Sequence, residues 1–181
     1  MEHEPRGVLP EGVDDMAILK AFHGHLGPYV VAGLRLGRYA LRRLQADPHF
    51  GIEAEVYCPD APPPSCAMDG IQFSSGCTLG KRNLRHHVAE GVTAIFRKRS
   101  TGETLTIRLR PEAIAQAVEA MKRADDVAGA AFVEGLSDEE LIEELRGMEL
   151  DGSVITQVHV VTGRYDMIAY VESPSLQSLG N

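Results

Sequence analysis

The chain has 181 residues, of which 44% are hydrophobic and 24% are charged, a composition typical of a folded globular protein. This length predicts one domain with at most a small appendage. No apolar run approaches the roughly 20 residues of a membrane-spanning helix, and the acidic N-terminus lacks the apolar segment of a signal peptide. Three cysteines do not make the even framework of a secreted disulfide scaffold. We therefore expect a reduced, cytoplasmic protein with no membrane partner.

The net charge of −8 is distributed unevenly along the chain. Residues 1–100 carry 12 Lys and Arg against 11 Asp and Glu, whereas residues 101–181 carry 6 against 15. This acidic balance argues against a nucleic-acid partner. The basic clusters of the first half are interpreted as solvated faces, and the alternative is a small anionic substrate near Lys81.

Local signals predict where the helices begin and end. Asp14 and Asp15 are suited to cap a helix, and Pro28 suits the first turn of the next one. Gly76 is a favoured helix-stop residue, and Ser137 opens a capping-box pattern. These signals and the apolar periodicity predict helices over residues 14–22, 28–45, 66–75, 124–132 and 137–146. A further helix is predicted to begin at residue 111 and to include residue 121.

Alternating apolar residues and turn signals predict strands at 52–57, 92–98, 103–109, 154–161 and 165–171. Helices and hairpins come in blocks rather than in strict alternation, which predicts an α+β fold with helices packed on an antiparallel sheet. We expect three parts: a loosely ordered segment at 1–13, an α+β core at 14–150 and a strand-pair extension at 151–181.

His23 and His25 stand one residue apart, in a segment that ends the helical pattern before Pro28. In an extended segment, residues at i and i+2 point the same way, as metal-bound pairs often do. The alternative is an ordinary pair of loop histidines.

Cys66 and Asp69 stand three residues apart at a predicted helix start. If Ser65 caps this helix, Cys66 becomes its first residue, and the helix dipole would lower the pKa of the thiol. A thiolate is what a metal or an electrophile requires. The alternatives are a small buried Cys66 and an Asp69 that complements the helix dipole.

Cys77 is harder to place than Cys66. A straight helix over 66–75 would separate the two thiols by roughly 15 Å, too far for one tetrahedral site or a disulfide. The helix is therefore broken near Gly70, or Cys77 serves elsewhere, or a partner subunit brings it back. The stretch from Gly76 to Arg82 fails the P-loop pattern, because only three residues separate its glycines and Arg82 stands where Ser or Thr should be.

Three ordered motifs resemble the core domain of the family named for the E-type component of formylmethanofuran dehydrogenase. They are Phe22-His23-Gly24-His25 with Gly27-Pro28, Cys66-Ala67-Met68-Asp69-Gly70-Ile71-Gln72, and Gly76-Cys77-Thr78-Leu79-Gly80-Lys81-Arg82-Asn83-Leu84.

The resemblance spans about residues 14–150 and implies an α+β fold in an intertwined homodimer. It also implies a metal site with His23, His25, Cys66 and Cys77 as ligands, and with Asp69 and Lys81 beside it. Two departures stand out. Gly27 occupies a position where members often have a cysteine, and residues 151–181 lack the cysteines of the zinc-finger segment that some members append.

These features leave three classes of function open. The first is a metal-binding enzyme or enzyme-associated protein, connected with one-carbon or formyl metabolism only through the family name. The second is a non-catalytic metal-binding or sensing module, and the third is a metal-free thiol redox protein. Mixed imidazole and thiolate donors favour Zn²⁺ among divalent metals. Cys66, Asp69 and Lys81 are the candidates for a catalytic role.

Overall fold

The computed structural model describes residues 14–145, together with the backbone of two strands at 154–159 and 168–172. The predicted loosely ordered segment at 1–13 lies outside these residues. The chain divides into two compact units, residues 1–144 and 145–181. No helix in the described part of the chain is long and apolar enough to cross a membrane.

The first unit is an α+β structure, as predicted. Its helices are α1 (Asp15–His23), α2 (Pro28–Leu44), α3 (Ala67–Ser75), α4 (Pro111–Arg123), α5 (Asp126–Gly135) and α6 (Asp138–Leu141), and a short 3-10 turn (Pro64–Cys66) precedes α3. Its strands are β1 (Ile52–Cys58), β2 (Leu84–Val88), β3 (Thr93–Lys98), β4 (Thr104–Leu109) and β5 (Ile142–Glu144).

The five strands form one sheet in the order β2-β1-β3-β4-β5. The predicted hairpin of β3 and β4 is confirmed, with Ile95 opposite Thr106. The prediction of an antiparallel sheet is wrong at one edge, because β2 pairs with β1 in parallel while the other neighbours are antiparallel. Sequence reasoning did not predict β2. Its polar Arg-His-His centre gives no clear alternation, and a parallel partner is not signalled by any local turn.

The predicted helix over 137–146 is shorter than expected. The capping box at Ser137 is present, with Glu140 as its second member. The helix nevertheless ends at Leu141, because Ile142 enters the sheet as β5 and pairs with Leu109. Tertiary pairing therefore overrides the local helix signal over these residues.

Helix α2 is the central helix of the first unit, and most of its apolar side chains are buried. It packs closely against α3, which also lies on the core side. Gly33 and Gly70 stand at this crossing, where added Cβ atoms would overlap the backbone of Ala67 and Val30 respectively. The absence of these side chains lets the two backbones approach, and this contact holds the first turn of α3 in position.

The second unit contains an antiparallel strand pair, β6 (Val154–His159) and β7 (Ile168–Glu172). The pairing confirms the predicted strand pair, with a register shift between Ile155 and Gln157. The predicted turn at Thr162-Gly163 lies outside the described residues.

Candidate functional site

The connection between α1 and α2 carries the paired histidines. Helix α1 ends at His23 because Gly24 adopts a left-handed conformation with φ 96°, and its N–H donates to the Lys20 carbonyl oxygen. Gly27 is the N-cap of α2, and Pro28 begins that helix as predicted. The connection is therefore confined to a few residues between two well-defined helix ends.

His23 is oriented by a carboxylate from α3. Its Nδ1 lies 2.7 Å from Oδ2 of Asp69, and its side chain is only 9% exposed, against 38% for Asp69. Because an ionised carboxylate only accepts hydrogen bonds, Nδ1 is the donor in this pair. In the neutral imidazole, the lone pair is then left on Nε2.

Nε2 of His23 is the most informative atom of the site. It is buried and has no hydrogen-bond partner among the described residues. A buried polar atom without a partner costs about 1–3 kcal/mol, so Nε2 is the atom of this site that would gain most from a further partner. A histidine that donates one nitrogen to a carboxylate and presents the other to a metal is the usual arrangement of metal-bound histidines.

His25 lies beside His23, but the segment is not extended as predicted, because His23 ends α1 and Gly24 is left-handed. The two ring centroids are 4.9 Å apart at an interplanar angle of 36°. Unlike His23, His25 is 52% exposed, and its Nε2 lies 3.9 Å from Oδ2 of Asp126 at the start of α5. Sequence reasoning missed Asp126, because only the packing of α5 brings it to the histidine connection.

Cys66 is placed at the start of α3, but not as the sequence predicted. It closes the 3-10 turn and is itself the N-cap, so α3 begins at Ala67, and Ser65 makes no side-chain capping bond. The expectation of a lowered thiol pKa is wrong for the protein described here. Partial burial, followed by the carboxylate of Asp69, raises the pKa of Cys66.

Cys77 lies in the core rather than at the surface of the site. It follows the left-handed Gly76, its Sγ lies 3.4 Å from the Ile52 carbonyl oxygen, and its N–H donates to the Ser75 hydroxyl oxygen. Burial raises the pKa of its thiol to about 11. Cys58 is equally buried at the end of β1, and burial also raises the pKa of its thiol to about 11.

Lys81 belongs to the loop between α3 and β2. Its Nζ lies 3.3 Å from Oγ1 of Thr78, and the N–H of Thr78 donates to Oδ1 of the buried Asn83. Asn83 in turn donates to the carbonyl oxygens of His49 and Ile52. This network ties the loop to the start of β1. The anionic substrate predicted near Lys81 stays a prediction.

The four predicted metal ligands are not assembled into one ligand set. Over residues 14–145, no three His, Cys, Asp or Glu side chains are grouped closely enough to hold a metal ion. The structure brings His23 together with His25 and with Asp69. Cys66 stands one turn before Asp69, and Cys77 is engaged inside the core.

The fold and the site together define an α+β protein with paired imidazoles, one of which is oriented by a helix-borne carboxylate. The chain belongs to the FmdE family: the family model described as FmdE, molybdenum formylmethanofuran dehydrogenase operon, matches residues 22–149. This match includes the histidine connection, α3 and the whole five-stranded sheet.

A curated relative shows similarity over a shorter stretch. The chain is 37% identical over 71 residues to a probable S-adenosyl-L-methionine-binding protein of Archaeoglobus fulgidus. The match covers 36% of this chain but only 18% of that protein.

Proposed function

We propose that this protein binds one divalent transition metal ion per chain, with Zn²⁺ the favoured metal. The observation that carries this proposal is the buried Nε2 of His23, which lacks a partner among the described residues while Nδ1 is held by Asp69. His25, whose ring lies against that of His23, and Cys66 on the neighbouring helix start are the next donors. Imidazole and thiolate together suit Zn²⁺, whereas Mg²⁺ and Ca²⁺ prefer oxygen.

The raised pKa of Cys66 is compatible with this role. A free thiol in a half-buried site beside a carboxylate stays protonated at neutral pH. Metal ligands must be deprotonated, so metal binding releases the proton and replaces it with a stronger positive charge.

Cys77 is the last of the four ligand candidates in our proposal. To bind a metal, its Sγ would have to leave a fully buried position and its contact with the Ile52 carbonyl oxygen. The remaining three candidates are not grouped for binding in the described chain. We propose that movement of Cys66 and His25, or a donor from a second copy in a homodimer, completes the set.

A metal bound by only part of its possible protein ligands keeps a position for water or substrate. Such a metal acts as a Lewis acid on a bound substrate or activates a bound water. We accordingly propose an enzyme or an enzyme-associated protein, for which the FmdE family name suggests one-carbon or formyl metabolism. A non-catalytic sensing module is the alternative for a metal that is fully enclosed by protein ligands.

Metal analysis of the purified, untagged protein tests this proposal. After dialysis, inductively coupled plasma spectrometry should find one Zn²⁺ per chain in the wild type. Cys66→Ser should lose most of it, because a serine hydroxyl is a poor donor at neutral pH. The control is His86→Ala, because His86 lies on β2 with its Nε2 3.1 Å from the Cys58 carbonyl oxygen.

Two outcomes would contradict the proposal. Equal bound metal in the wild type and in Cys66→Ser would remove Cys66 from the ligand set. A wild-type protein that holds no metal after incubation with Zn²⁺ would reject metal binding itself.

A further inference from the structure

Both oxygen atoms of the Asp69 carboxylate have partners. Oδ2 lies 2.7 Å from Nδ1 of His23, and Oδ1 accepts a hydrogen bond of 3.2 Å from the side-chain amide of Gln72. Because an ionised carboxylate only accepts hydrogen bonds, the amide presents its NH₂ group, and Gln72 is the donor. Gln72, Asp69 and His23 therefore form a chain of two hydrogen bonds that ends at the imidazole.

The imidazole end of this chain is fixed by the contact of α1 with α3. Helix α1 ends at His23, where the Gly24 N–H donates to the Lys20 carbonyl oxygen. The ring of Phe22, directly before His23, lies against the ring of Phe73, with the centroids 6.3 Å apart. The His23 side chain is also only 9% exposed. The ring itself therefore has little freedom to turn.

The Asp69 carboxylate is the member of the chain with the most freedom. Its side chain is 38% exposed, and the terminal torsion of an aspartate has broad, shallow minima. Rotation of the carboxylate would turn Oδ2 away from Nδ1 of His23. The amide of Gln72, half-buried one turn further along α3, holds Oδ1. Gln72 therefore fixes the plane of the carboxylate.

A glutamine three residues after an aspartate also has an ordinary structural interpretation. Such pairs stabilise a helix slightly wherever they occur. The difference in this protein is that the second oxygen of Asp69 is engaged by a buried imidazole from another helix. Which nitrogen of an imidazole carries the proton is set by the hydrogen bond that the other nitrogen makes. A group that orients Asp69 therefore acts on the proton of His23.

We propose that Gln72 is a positioning residue, which holds the Asp69 carboxylate so that the proton of His23 stays on Nδ1 and the lone pair on Nε2. A neutral imidazole without this acceptor carries its proton on either nitrogen. A proton on Nε2 would occupy the buried atom that our proposed function uses as its first metal donor. The consequence for metal binding rests on the proposed function, whereas the tautomer is a property of the metal-free protein.

Nitrogen-15 NMR of the metal-free, full-length protein measures the tautomer directly. Spectra at about pH 8.5, above the ordinary histidine pKa of about 6.5, report on neutral rings. His23 of the wild type should show one form, with its proton on Nδ1. Gln72→Met keeps the length of the side chain but removes the donor, and should give a mixture of both tautomers. Gln72→Lys restores a donor within reach of Oδ1 and should return the single form.

The affinity for Zn²⁺, measured by competition with a chelator, gives a second readout. Gln72→Met should bind Zn²⁺ about two- to tenfold more weakly, below the roughly 10–100-fold that follows loss of a direct partner of a metal-bound histidine. The matched control is Gln116→Met, because Gln116 is an exposed glutamine on α4. It should leave both the His23 tautomer and the affinity unchanged.

The outcomes separate this inference from the proposed function. A wild-type His23 in any form other than Nδ1–H, or a single Nδ1–H form in Gln72→Met, would overturn the inference while metal binding stands. A mixture in both Gln72→Met and Gln72→Lys would also overturn it, because the donor would then not be the cause. A wild type that binds no Zn²⁺ would reject the proposed function, and the tautomers would still decide the role of Gln72.

Discussion

Gly33 of α2 and Ala67 of α3 are in such close contact that a Cβ atom on Gly33 would overlap the Ala67 carbonyl oxygen. Gly70 makes the reciprocal approach toward the backbone of α2. Ala67 directly follows Cys66, and Asp69 lies in the same first turn of α3. The crossing of the two helices therefore determines the positions of the Cys66 thiol and of the Asp69 carboxylate that contacts His23.

We predict that Gly33→Ala destabilises the protein by about 1–3 kcal/mol or more, the range for overpacking a buried contact. The neighbouring group is backbone rather than a flexible side chain, so it cannot move aside cheaply. Urea unfolding would measure the change. Gly135→Ala is the control, and equal unfolding midpoints for the two variants would show that the helix crossing tolerates a methyl group.

Asp69→Asn should weaken metal binding without abolishing it. The amide oxygen can still accept a hydrogen bond from Nδ1 of His23. The negative charge that raises the basicity of the histidine as a metal ligand is lost. Changes of this kind cost about 10–100-fold in metal affinity, which competition with a chromophoric chelator would measure. Glu119→Gln is the control, because Glu119 forms an exposed pair with Arg123 on α4. An unchanged affinity in Asp69→Asn would show that Asp69 does not act through a metal-bound histidine.

The two buried thiols predict a loss of stability at alkaline pH. Cys58 and Cys77 have pKa values of about 11 in the folded protein, against an ordinary 9.0. Between these values the unfolded chain has released protons that the folded chain still holds. The stability that these thiols contribute is therefore complete below pH 9 and is lost as the pH rises toward 11.

Chemical denaturation at several pH values between about 8.5 and 10.5 would measure this loss. Cys77→Ala should show a shallower decline over the same range, because one of the two shifted groups is gone. The comparison uses slopes, since the cavity left by the substitution lowers the stability at every pH. Identical slopes would mean that the Cys77 thiol ionises equally easily in both states.

We also predict that the protein is a homodimer in solution, as the FmdE family resemblance implies. An intertwined dimer should bury more than the roughly 1,600 Å² of a standard interface and should not dissociate at micromolar concentration. Analytical ultracentrifugation over a range of concentrations would measure the mass. A stable, folded monomer at micromolar concentration would reject both the dimer and a ligand donated by a second copy.

Local sequence signals determined most of the helix ends and one hairpin. Asp14, Pro28 and Ser137 mark helix starts where expected, and Gly76 ends α3 in a left-handed conformation. These signals are readable because caps and turns depend on residues within one helical turn of each other. The order of the three motifs was also enough to indicate the family, which the match over 22–149 confirms.

The tertiary structure decided what depends on distant neighbours. Strand β2 exists because β1 offers it a parallel edge, with Val56 opposite His86, and α6 ends at Leu141 because Ile142 pairs with Leu109. In both pairings the two strands lie far apart in the sequence, so no local signal identifies the partner strand. Register between distant strands is therefore a property of the assembled sheet.

The chemistry of the site divides in the same way. The spacing of His23 and His25 was visible in the chain, and so was the position of Asp69 one turn after Cys66. Only the packing of α1 against α3 gives His23 its carboxylate. Burial in the folded chain encloses the Nε2 atom of His23 and, ahead of the nearby Asp69, raises the pKa of Cys66 instead of lowering it. A side chain's identity is local, but its burial and its charged neighbours come from elements far apart in sequence, and these determine which proton it holds.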